Sequence, residues 1–394
     1  MTLRLLLILG GLSAFGPLAI DLYLPAFPAI AKDFGTDTEH VQMSLAAYFV
    51  GLALGQVFYG PVADRFGRRK PLLFGLGLFT LASIACALAP SMEWLIAARF
   101  AQALGGCAGM VVNRAVVRDM CTPLEAARAF SQLMLVMGVA PILAPLVGGW
   151  MLMFGGWELI FVSLAIFGGV FSLLVFFRLP ETLSPDVPRG ELSKALGQYG
   201  RLLKEPEFMF HALTGGVAMA GMFAYIAGSP FVLIELYQVP VEHYGWFFGM
   251  ISAGFVLAAQ VNGRLLRRRT PLMLLKTTTV IFMMSTLVLA LVAWMEFTAL
   301  WPLLVPLFLC MAVLALVLPN SSASALAGQG HQAGVASALM GTLQFAIAGI
   351  VSALVGILHD GTAFPMAGMI GLCGVVSAMM AVLARRVTLR KAAA

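Results

Sequence analysis

Apolar residues run along this chain in long blocks broken by short polar stretches. The blocks cover about 5–30, 41–63, 72–89, 94–116, 128–152, 157–177, 208–231, 244–264, 272–295, 299–319, 334–358 and 363–384. Each is close to the roughly 20 apolar residues that a helix needs to cross the hydrocarbon core of a bilayer. The pattern predicts an all-α membrane protein with twelve transmembrane helices, spans 1 to 12 in that order. Arg4 and the leucine run behind it have the outline of a secretory leader. No small-residue cleavage site follows the run, and the apolar stretch continues to Ala31, so it is read as span 1.

Composition agrees with the pattern. Of 394 residues, 61% are hydrophobic and 11% charged, against about 25% charged in soluble domains. Too few charges remain to clothe a water-facing surface. The five cysteines, Cys86, Cys107, Cys121, Cys310 and Cys373, are odd in number and lack metal-ligand spacing, which predicts no disulfide and no metal. The net charge of +6 does not point to nucleic acid, because the basic residues sit in short loops between apolar runs. One set of loops carries Arg65 to Lys70, Arg114 with Arg118 and Arg128, Arg178 to Lys204, Arg264 to Lys276, and Arg385 to Lys391. The alternate loops hold Lys32 and acids such as Asp33, Asp37, Glu93, Glu158, Glu242, Glu296 and Asp360. The positive-inside rule then puts the basic loops and both termini in the cytoplasm.

The longest polar stretch, about 178–207, lies near the middle and carries Pro180, Pro185, Pro188 and Pro206. It predicts six-helix halves at 1–180 and 208–394, the second ending in a short basic tail, joined by a cytoplasmic linker at 181–207. A faint repeat supports two halves. GPVADRFGRRKP at 60–71 and QVNGRLLRRRTP at 260–271 each follow the second span of their half, and Arg68, Arg69 and Pro71 match Arg268, Arg269 and Pro271.

Four further stretches stand out. The loop at 60–70 has Gly60, Asp64, Arg65, Gly67, Arg68 and Arg69 in fixed spacing. Span 4 carries Arg99 and Gln102 in Arg-Phe-Ala-Gln-Ala-Leu-Gly. Span 5 carries Pro141 and then Ala144-Pro145-Leu146-Val147-Gly148-Gly149. Span 1 holds Asp21-Leu22-Tyr23-Leu24-Pro25, and Pro180-Glu181-Thr182 follows span 6. Together these resemble the major facilitator superfamily, and within it the Bcr/CflA, or bicyclomycin-resistance, branch of the drug:proton antiporters. In this chain Ala103 and Ala144 replace glycines of the usual patterns. The resemblance implies a major facilitator fold with pseudo-two-fold halves around a central cavity. It also implies export of small amphipathic drugs, such as bicyclomycin, phenicols or sulfonamides, in exchange for protons. The expected setting is a bacterial inner membrane, with the protein working as a monomer.

Asp21 is the most informative residue. It falls 17 positions after Arg4 and 11 before Lys32, well inside the membrane at about 1.5 Å per residue. An acid at such a depth costs about 2.5–3.5 kcal/mol on insertion scales and is functional by default; the bland alternative is a structural acid at a kink between Pro17 and Pro25. Arg99, six residues beyond Glu93, has a similar expected depth and is paired with Asp21 as the proton-coupling set, against the alternative that it snorkels to the outer interface. Asp64 near the N-terminus of span 11 would gain about 0.3–1 kcal/mol as a latch. The small residues Ala140, Ala144 and Gly148 suggest a tight helix seam. Spacing alone leaves a seam between the halves and packing within one about even, and the resemblance of the span 5 motif favours the seam between the halves. Polar or aromatic residues in apolar runs, Tyr23, Tyr48, Gln102, Asn113, Phe223, Tyr225, Asn320 and Gln344, are the substrate-pocket candidates. The 23 methionines suit an adaptable surface. No nucleotide-binding loop is present, so ATP is not the expected energy source and no cofactor is predicted. No cluster of His, Cys and acids inside the spans suggests an enzyme. The competing function on the same fold is a proton-coupled exporter of a metabolite such as an amino acid or sugar.

Overall fold

A computed structural model describes residues 3–184, 192–329 and 332–393. Pro185 and Pro188 of the expected linker, and the side chains of Arg4 and Arg128, lie outside what is described. The described residues contain helices and no strand. Twelve helical segments are long and apolar enough to cross a membrane. They are Leu5–Phe34, Thr38–Phe66, Arg69–Ala87, Met92–Met120, Val136–Phe154, Glu158–Arg178, Pro206–Leu236, Val241–Leu265, Pro271–Trp294, Trp301–Leu326, Ala333–Ile357 and Phe364–Thr388, and they keep the numbers of spans 1 to 12.

Local chemistry sets many of the boundaries. Span 4 starts where the Ser91 hydroxyl accepts from the Trp94 N–H at 3.3 Å, and span 9 starts behind Thr270, which accepts from the Met273 N–H at 3.3 Å. Such caps satisfy donors that a helix start leaves open. The helix holding span 5 begins at a Thr122–Glu125 capping box. Span 4 continues to Met120, so Arg114 and Arg118, expected in a loop, stand on its last turns. Nothing in Arg-Ala-Val-Val-Arg-Asp-Met breaks a helix before Cys121.

Two spans are interrupted. Span 1 is α-helical to Asp21, turns through a 3₁₀ segment at Leu24–Ala26 and resumes as a helix at Phe27–Phe34. Proline clashes with the carbonyl four residues before it, and for Pro25 that residue is Asp21. Span 7 passes Pro230 and widens into a π-helical turn at Phe231–Leu236. Such turns gather at functional positions.

The chain divides into two compact units, Met1–Leu196 and Gly197–Ala394. In the first, span 4 packs on spans 2 and 3, span 3 on span 6, and span 1 on span 5. In the second, span 10 packs on spans 8 and 9, span 9 on span 12, and span 7 on span 11. The matched pairings are the structural form of the repeat seen in sequence. A smaller match is a hydroxyl bond between the first two spans of each unit. Tyr23 meets Ser44 at 2.7 Å in one, and Ser229 meets Tyr244 at 2.7 Å in the other, with the residue types exchanged. Spans 1 and 7 are the most enclosed, with 72% and 78% of their most apolar windows buried, whereas span 6 has 28%. Exposed apolar side chains such as Ile166, Leu173 and Phe177 on span 6 suit a lipid surface.

Candidate functional site

The interruption in span 1 positions the first cluster. Asp21 ends the helix and is 3% exposed. Tyr23, two residues on, is fully buried and stands against Phe27 and Phe161, with ring centroids 4.9 and 5.3 Å away. Span 4 brings Arg99 to the same place. Its guanidinium carbon lies 4.6 Å from the Tyr23 ring centre, 4.3 Å from that of Tyr48 and 5.7 Å from that of Phe161. A guanidinium is planar and weakly hydrated, which suits stacking on aromatic faces. Arg99 is fully buried, so it does not snorkel to an interface.

A hydrogen-bond chain holds the guanidinium from one edge. Arg99 Nη1 donates to Gln102 Oε1 at 2.5 Å, Gln102 Nε2 donates to Ser83 Oγ at 2.8 Å, and Ser83 donates to the Phe79 carbonyl at 2.7 Å. Among the described residues Arg99 Nε and Nη2 and the Tyr48 hydroxyl are left without partners, and no ion pair joins Arg99 to Asp21. Asp21 is near enough to Tyr48 to act on its hydroxyl electrostatically. The cluster therefore holds a guanidinium among aromatic rings, with a buried carboxyl two residues from one of them.

Span 5 cradles the break. A Cβ at Gly148 would run into the carbonyl oxygen of Leu22, so only glycine lets span 5 close on the loosened turn next to Asp21. Ala144, one turn earlier, is also buried, as are Pro145 and Gly149, while Pro141 is half-buried. The close approach is made to span 1 within the first unit. Of the two seams weighed from sequence, this is the one within a half.

The loop between spans 2 and 3 is tied to two other elements. Arg68 is 3% exposed; it bonds Asp64 at 2.5 Å and Asp119, at the end of span 4, at 2.8 Å. The Glu181 carboxylate, just past span 6, accepts from the Arg68 N–H at 2.8 Å and the Arg69 N–H at 3.2 Å. It also accepts from the N–H groups of Thr182 and Leu183, both at 3.0 Å. Burial works against its charge, but the donors of Arg68, Leu183, Arg69 and Thr182 outweigh burial and hold its pKa below the ordinary glutamate value. At Arg68, burial opposes the charge, and Asp119 and Asp64 raise the pKa overall. Gly67 has φ +90°, and a Cβ there would strike Glu181. Arg65 is exposed and lies over the Phe66 ring at 5.4 Å. Gly60 has open space around it.

The other pocket candidates divide. Asn113 is a brace: its Nδ2 donates to the Leu9 carbonyl at 2.8 Å and Ser13 Oγ at 2.6 Å on span 1. In the second unit Asn320 donates to Asn262 Oδ1 at 2.8 Å and to the Leu316 carbonyl at 2.7 Å. Tyr225 stacks on Phe248 at 5.3 Å and Phe223 meets Phe345 at 5.8 Å. Gln344 is half-buried beside Gly216. Sequence reasoning missed Ser83, Phe161 and Asp119. Asp119 carried a signal, an acid beside Arg118 at a span end; a serine or phenylalanine in an apolar run carries none.

Twelve membrane-length helices among the described residues, in two repeated packing patterns, define a multi-pass membrane protein. The chain belongs to the Major Facilitator Superfamily, whose family model matches residues 8–353. It is 40% identical to an uncharacterized MFS-type transporter, YdgK, of Bacillus subtilis over 96% of this chain and 94% of that protein. It is 31% identical to a bicyclomycin resistance protein homolog of Haemophilus influenzae over 96% and 95%. Multidrug resistance protein D of Escherichia coli is 29% identical over 88% and 87%. These relatives place it in the bicyclomycin-resistance branch. The fold alone is shared with the xylose transporter XylE from E. coli, at TM-score 0.73 and 13% identity over 95% of this chain and 96% of that one.

Proposed function

We propose that this chain is a proton-coupled multidrug efflux antiporter of a bacterial inner membrane, with both termini cytoplasmic. It works by alternating access as a monomer, with residues 1–180 and 208–394 as its two bodies and 181–207 as the linker. The observation that carries the reading is Asp21, buried at the broken turn of span 1 beside the Arg99 clamp. A buried carboxyl changes charge readily when its surroundings change, whereas the guanidinium stays charged. Asp21 takes a proton from outside, the drug leaves, and the proton is released inside. Each proton entering through 100 mV releases about 2.3 kcal/mol, enough for roughly a 50-fold drug gradient. Tyr23, Tyr48 and Gln102 set the state of Arg99, and Phe223, Tyr225 and Gln344 offer aromatic and polar contact to cargo. The relatives named bicyclomycin resistance protein homolog and multidrug resistance protein D support an amphipathic antibiotic as cargo.

The test is purified protein in liposomes carrying a pH gradient, with bicyclomycin, a phenicol and a sulfonamide as probes. Wild type should move at least one probe against its gradient. Asp21→Asn, which keeps size and one carbonyl oxygen, should insert normally and fall below about a tenth of that rate. Drug binding to the variant should lose its pH dependence. Proton-driven export by Asp21→Asn at wild-type level would sink the assignment.

A further inference from the structure

The repeated loop is chemically different in its two copies. In the first, Arg68 is buried between Asp64 and Asp119, the Arg68 and Arg69 amides are capped by Glu181, and the Arg69 side chain lies over Phe176 and donates to the Phe176 carbonyl. In this copy Arg68 is paired and Arg69 is tied down, while Arg65 and Lys70 stay exposed. In the second, Arg264 stands where the first has Asp64, and Arg267, Arg268, Arg269 and Lys276 follow. All five side chains are exposed. Among the described residues none forms an ion pair, and no acid occurs anywhere over 243–295. Exposed apolar side chains are interleaved with the cations: Leu265 at 37%, Leu266 at 38%, Leu272 at 39% and Met273 at 59% exposure.

We propose that the segment 264–276 binds the headgroups of anionic phospholipids. Span 8 ends at Leu265 and span 9 starts at Pro271, so the five intervening residues cannot rise far from the membrane surface at about 3.5 Å per residue. Guanidinium groups pair with phosphate oxygens bidentately, and the N-terminus of span 9 adds partial positive charge. The interleaved leucines separate a lipid from a soluble anion: they meet acyl chains, for which a free phosphate offers nothing. The proposal is independent of the cargo and of proton coupling.

Native mass spectrometry of the full-length protein in detergent, titrated with cardiolipin, tests it. Wild type should retain cardiolipin and not phosphatidylcholine. R267Q/R268Q/R269Q should weaken cardiolipin binding about tenfold or more, since each basic residue near an anionic surface contributes separately. R268Q alone should weaken it in the same direction, and R385Q/R386Q, which removes two exposed arginines elsewhere, should leave it within about twofold. Thermal unfolding in lipid-free detergent should be the same for all forms. Unchanged cardiolipin binding by both R268Q and the triple variant would overturn the proposal. So would displacement of cardiolipin by an equal concentration of inorganic phosphate, which would make the loop a soluble-anion site.

Discussion

Among the described residues Arg99 has no carboxylate partner, so aromatic faces and one amide do the work a counter-ion would do. Cation–π contact in a desolvated site contributes about 2 kcal/mol or more, and lysine, a compact point charge, does not reproduce the flat stacking between Tyr23 and Tyr48. Arg99→Lys should therefore lower stability by about 2 kcal/mol or more and abolish transport, measured as thermal unfolding in detergent and drug uptake into vesicles. Tyr48→Phe keeps the ring and removes the unpartnered hydroxyl. It should leave stability near wild type while shifting the pH profile of transport, an outcome a merely structural role would not give. Asp21 and Arg99 were legible in the sequence because charge inside an apolar run is costly and conspicuous. The aromatic clamp was half legible: Tyr23 and Tyr48 stood out as polar-tipped residues, but nothing in a one-dimensional pattern says that two tyrosines 25 positions apart face one guanidinium.

At the scale of helices, spans were readable because the bilayer sets their length. Span 1 reads as one run, with a kink between Pro17 and Pro25 only as an alternative, because proline can also sit inside a helix, as Pro17 does. The π turn of span 7 was not readable, since one proline at a span end has several outcomes. Gly148 shows how two such elements depend on each other. Gly148→Ala puts a methyl against the backbone of Leu22, which cannot rotate away as a side chain can. Overpacking of this kind costs about 1–3 kcal/mol, and transport should fall with it while membrane insertion, followed by fractionation, is unchanged. The tie from Glu181 to the start of span 3 carries a pH signature. Its pKa is lowered on folding. The tie therefore stabilises fully above the free glutamate value of about 4.3 and fades as pH falls through the lower folded value. Glu181→Gln should unfold at a lower temperature than wild type near pH 7, and the gap should shrink once pH falls below the free glutamate value and close as pH passes the lower folded one. A gap that persists in acid would mean that the charge is not what matters.

For the molecule as a whole, two halves were expected from a long proline-bearing linker and a twelve-residue repeat in which three positions match; the pairing of span 4 with 2 and 3, mirrored by span 10 with 8 and 9, was beyond any pattern in the chain. Topology is directly testable. Single cysteines at Arg65 and Arg201 should react with an impermeant maleimide from the cytoplasmic side alone, and labelling from outside intact cells would invert the assigned orientation. The lock on Arg68 bears on how the protein is made. Glu181 follows Arg68 by 113 residues, so at about 5–20 residues per second it leaves the ribosome roughly 6–20 seconds later. The exposed cations of a basic loop are what retain a hairpin on one side of the membrane, and through that interval the Arg68 and Arg69 amides are not yet capped by Glu181. Only after span 6 is in place can Glu181 cap them. The same two residues thus offer side-chain charge from the start and a backbone fastening only later, because the order of synthesis delays the cap.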